Sequence, residues 1–86
     1  MTKEEVSQFA EIPALGPMSV KCKTSNHGGF FDLFPDSAEL KEQNKWRFIP
    51  THLALAFQKE RETTKLANPK HSIILNGSDI ISIKYM

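Results

Sequence analysis

The sequence predicts a small α+β domain. Its expected core is a mainly antiparallel sheet of about five short strands, covered on one face or curled into a partly open barrel, with two to three short helices. Three observations carry this. Residues 71–85 hold two β-branched runs around Asn76-Gly77-Ser78-Asp79, the pattern of two strands joined by a tight turn. Met18, Val20 and Cys22 alternate with polar residues, and so do Trp46 and Phe48, as half-buried strands do. Thr2-Lys3-Glu4-Glu5 and Asp36-Ser37-Ala38-Glu39 each have the spacing of a helix-starting capping box.

Taken in order, Thr2 caps a helix from Lys3 to Glu11 that turns Val6, Phe9 and Ala10 to one side. Pro13 ends it by pushing Ile12 out of the α region. Leu15-Gly16-Pro17 reads as a turn and Met18 to Cys22 as the first strand. Thr24 to Gly29 reads as a loop rich in residues that tolerate positive φ, and Phe30 to Phe34 as the second strand. Asp36 caps a two-turn helix that stops near Asn44, and a third strand carrying Trp46 and Phe48 runs to Pro50.

Thr51 to Ala67 fits either a helix or a strand. The run Ala54 to Arg61 consists of good helix formers, which favours a helix capped by Thr51, presenting Leu53, Ala56, Phe57 and Glu60 on one face and ended by Asn68-Pro69. In the terminal hairpin, an odd loop would align Ile73 and Leu75 with Ile81, Ile83 and Tyr85 on one face. A three-residue loop with Gly77 in the left-handed region supplies that register and predicts Ile73 opposite Ile81.

At 86 residues the chain has the size of one globular domain, spanning 1–86, and it buries only about 60–65% of its unfolded surface. Six Phe, one Trp and one Tyr supply the large core pieces, and the single Cys22 has no second cysteine for an internal disulfide. A charged N-terminus and no membrane-length apolar run lead to the expectation of a cytoplasmic protein. The formal net charge of +1 argues against a protein held mainly by phosphate contacts, although residues 46–86 are more basic than residues 1–45.

The candidate chemistry is sparse. His27, His52 and His71 do not converge by spacing, and Cys22 with His27 offers only two metal donors, so neither a metal nor a cofactor is expected. Cys22 sits on the apolar side of its strand, where a thiol behaves as a small hydrophobe. Gly28-Gly29 precedes a strand rather than a helix, which lacks the N-terminus that cradles phosphate.

Two clusters remain. Phe30, Phe31, Leu33 and Phe34 are more apolar surface than so small a domain covers, which predicts a patch for a protein partner or a second copy. The mixed-charge stretch from Gln58 to Lys65 would supply a polar rim. Lys45, Trp46, Arg47 and Phe48, with Lys21 and Lys23 as neighbours, form the second cluster and the alternative: a single-stranded nucleic-acid surface. That reading requires a solvent-facing Trp46; simple alternation instead sends Trp46 and Phe48 inward and leaves Lys45 and Arg47 solvated. A non-catalytic interaction module is therefore the leading expectation. An enzyme ranks third and needs a pocket uniting Cys22 or His27 with a carboxylate.

Overall fold

The computed structural model describes residues 1–11, 17–65 and 68–85. It is an α+β domain with one five-stranded antiparallel sheet, not closed, and three helices. The elements run α1 (Lys3–Ala10), β1 (Met18–Cys22), β2 (Asn26–Phe31), α2 (Ser37–Glu42), β3 (Lys45–Pro50), α3 (Thr51–Thr64), β4 (Ile73–Asn76) and β5 (Ile80–Tyr85). The capping box of α1 is formed: Glu5 N donates to Thr2 Oγ1 and Thr2 N to Glu5 Oε1. The expected stop at Pro13 and most of the 15–17 turn lie outside the described residues.

The strand order is β4-β3-β2-β1-β5, so the two C-terminal strands occupy opposite edges. This overturns the terminal hairpin. Ile73 pairs with Phe48 of β3, not with Ile81. Through four antiparallel ladders β4 and β5 point the same way, and parallel strands ordinarily need a crossover of a dozen or more residues. Here a three-residue 3-10 turn, Gly77–Asp79, joins them. A flat sheet would separate its edges by about 19 Å, whereas the four steps from Asn76 to Ile80 reach at most about 14 Å. The sheet must therefore curl until its edges approach at this corner.

The turn uses no left-handed residue. Asn76 Oδ1 accepts from Ser78 N, and the backbone on both sides stays extended, so the chain is turned aside rather than reversed. Gly77 is needed for proximity instead: a Cβ there would lie 2.1 Å from Asn44 Oδ1. Asn44, at φ 55°, ties this corner together. Its Oδ1 accepts from Trp46 Nε1 (2.9 Å), its Nδ2 donates to Met1 O (3.3 Å) and its carbonyl accepts from Gly77 N (2.7 Å). The α-amino group of Met1 donates to Gly77 O and Ile80 O, which fixes the start of α1 across the same corner.

Most of the buried side chains lie on the concave face. Val6 and Ala10 of α1 pack with Met18, Val20, Trp46, Phe48, Leu75, Ile80 and Ile83. Ile80 and Ile83 are both buried although strict alternation forbids it. Cys22 pairs with Ile80 and Lys21 with Ser82, so Ile81 is the extra residue of a bulge and is pushed outward.

Further boundaries move. The loop after β1 is shorter than expected, because Asn26 to Gly29 already belong to β2. Gly29 sits where a Cβ would collide with the Ile49 carbonyl. β2 ends at Phe31, leaving Leu33 and Phe34 outside the strand. Asp36 makes no side-chain cap; its carboxylate is taken by Arg47. Thr51 is the first helical residue rather than the cap, and α3 stops at Lys65 in the left-handed conformation, before Asn68-Pro69. On α3 it is Ala54, not the exposed Ala56, that joins Phe57 in contact with the sheet.

Candidate functional site

The register β2–β3 decides which aromatic goes where. Phe31 opposes Phe48 on the concave side and their rings meet edge-on at 5.0 Å. Phe30 opposes Ile49 and faces outward, where α3 crosses: its ring lies 6.1 Å from that of Phe57. The chain then leaves the sheet. Leu33 N donates to Asp32 Oδ1 and Phe34 N to Ser37 Oγ, which places the Phe34 ring 5.8 Å from Phe57 and leaves Leu33 60% exposed. Phe34, Ile49 and Phe57 thus form a small second core on the convex side, edged by Phe30 and Ala54.

Between α3, the β1–β2 pair and the end of α1 lies a groove of about 1130 Å³. Met18, Phe30, Phe31, Leu33, Ala54 and Phe57 supply apolar wall. Charged groups stand at the rim. Arg61 Nη1 donates to Asp32 Oδ2 at 2.7 Å while its guanidinium rests 5.8 Å from the Phe57 ring centre, so one side chain both bridges the groove and covers the aromatic. Phe31, Asp32 and Leu33 also line a smaller recess of about 380 Å³ toward α2 and β3. There Lys41 Nζ bonds Glu11 Oε1 and, with Ser7, holds the Glu11 carboxyl below its ordinary range.

The four apolar residues singled out from sequence therefore separate: Leu33 is open, Phe30 and Phe31 are partly covered groove wall, and Phe34 is buried. The basic-aromatic strand looks different. Trp46 is 6% exposed with its indole N–H on Asn44, and Phe48 is fully buried, so the requirement of a solvent-facing indole is not met. Arg47 is not solvated either. It makes a bidentate pair with Asp36, donates to Ser72 Oγ and lies over the Phe34 ring at 5.5 Å, and the Asp36 carboxyl is held low by that pair. Lys45 is partly covered, while Lys21 on β1 and Lys23 just after it are exposed.

Compared with known proteins, the chain matches no family, no curated protein and no solved structure.

Burial pushes the Cys22 thiol up, away from the nucleophilic thiolate, and His27 Nε2 pairs with Ser25 Oγ rather than with a carboxylate. Among the described residues no three His, Cys, Asp or Glu side chains gather as metal ligands, and no helix is long and apolar enough to cross a membrane. Sequence reasoning missed two groups. Arg61 was visible only as part of a charged run, and His71 only as a histidine with no partner by spacing; its side chain is 13% exposed and paired with Glu60. Both depend on where α3 lies, which local pattern does not encode.

Proposed function

We propose that this chain is a non-catalytic protein-interaction module that receives an apolar segment of a partner protein, or of a second copy, in the groove between α3 and the β1–β2 pair. One observation carries the reading: a recess lined by aromatic and aliphatic side chains, an exposed Leu33 and charged groups. Interfaces of modest size share this anatomy, an apolar centre surrounded by polar groups. Arg61 fits a rim role, since half of its side chain is exposed.

The test is selection of a displayed random-peptide library on the intact chain and on Leu33→Asp, together with sedimentation velocity over a wide concentration range. Enrichment of peptides with large apolar anchors, lost in Leu33→Asp, supports the partner reading; concentration-dependent dimerisation lost in the same variant supports the second copy. A strict monomer that enriches no peptide above an unrelated control overturns both.

A further inference from the structure

On the flank of α3 away from the groove, Glu60 is gripped from the segment that leads into β4. Its Oε2 lies 2.5 Å from His71 Nε2 and 3.7 Å from Lys70 Nζ, and its Oε1 accepts from Asn68 Nδ2 at 2.8 Å. The partner segment is already shaped for this. Asn68 Oδ1 accepts from Lys70 N, His71 N donates to Asn68 O, and Pro69–His71 forms a 3-10 turn. The adjoining Ser72 Oγ accepts from Arg47 on β3.

Beside this contact, α3 has other attachments. Phe57 is its one fully buried side chain, and Arg61–Asp32 is half exposed. The Glu60–His71 contact is a further share of the attachment. It is also the share that contains an imidazole, the side chain whose charge changes near neutral pH. The geometry points to a proton-operated latch: Glu60 and His71 hold the C-terminal half of α3 against the entry to β4, tightly when the imidazole is protonated and loosely when it is neutral.

The charged groups around the imidazole support that sense. Glu60 faces it directly from α3. Lys70, on its own turn, shares the same carboxylate and does not replace the shorter contact. Arg47, from β3, reaches Ser72 but is matched by Asp36. Hydrogen bonds from Asn68 and His71 hold the Glu60 carboxyl below its ordinary range, which keeps it charged through neutral pH. A charge-assisted hydrogen bond exceeds a neutral one by an amount worth about fivefold in an opening equilibrium. Because α3 is one wall of the groove, release of the latch widens it; that consequence, and only that, rests on the function proposed above.

The experiment is amide exchange by NMR, corrected for intrinsic rates, at pH 6 and pH 8.5. Protection of the Gln58 to Thr64 amides should fall about fivefold at the higher pH relative to those of β1 and β2. In both His71→Gln and Glu60→Gln the difference should vanish. An α3 whose protection follows the sheet at both pH values, or keeps its pH dependence in both variants, overturns the latch. The readout is internal to one molecule, so a failed search for a groove partner leaves it standing, and a pH-independent α3 leaves the groove reading intact.

Discussion

The two packed regions of this molecule are built differently. On the concave face, side chains from α1 and all strands interlock, and polar contacts at Asn44 and the Met1 amine close the corner where the sheet edges meet. On the convex face, one helix lies on a half-sheet through Phe34, Ile49 and Phe57, helped by the half-exposed Arg61–Asp32 pair. Exposed or half-exposed pairs contribute little in water, typically below about 1 kcal/mol. The concave core holds the fold; α3 is inserted between β3 and β4 and only docked. A weakly docked helix flanking an apolar groove is where function is expected, since elements that open to admit partners come from the less stable parts of a structure.

The largest predicted effect breaks the concave core. Phe48→Ala removes a fully buried ring and should cost about 3–5 kcal/mol, read as a loss of denaturant midpoint with every strand unfolding together. Asn44→Ala should follow at about 2–4 kcal/mol, because it strands the Trp46 N–H and replaces asparagine at positive φ; Trp46 fluorescence reports it. Phe57→Ala sharpens the contrast. Its cost should be about half that of Phe48→Ala, with helical circular dichroism reduced and Trp46 emission unchanged, because α3 can detach from a surviving sheet. Acetylating the Met1 amine should cost about 1–2 kcal/mol in thermal unfolding, since two carbonyls lose a charged donor.

The smallest effect is in acid. Asp36 and Glu11 are held below their ordinary range by Arg47 and Lys41, so their stabilisation is present above the unfolded carboxylate values and is lost as pH falls through the lower folded ones. Asp36→Asn should therefore be slightly less stable at neutral pH and show a shallower decline below about pH 4.

Local patterns were readable in the chain: the capping box at Thr2 and Glu5, the alternation of β1, and the inward Trp46 and Phe48. The helical character of α3 was readable too, from residue type rather than from its position. What failed were pairings. The Ile-rich end has hairpin composition, yet the order of the sheet is set by which edges the curled core brings together, and Asn44 stands 33 residues before Gly77 of the turn it shapes. Of the candidate patch, Leu33 was legible as exposed apolar surface. Phe34 was not legible as buried, since contacts distant in sequence, Phe57 and Arg47, together with Ser37 Oγ, turn it inward.

Native-state amide exchange across a urea series tests the central contrast most directly. The account predicts that α3 amides exchange through a partial opening, with lower free energy and weaker urea dependence than those of β1, β2 and β3. Exchange of α3 at the same free energy and with the same urea dependence as the concave strands would show one undivided cooperative core and contradict it.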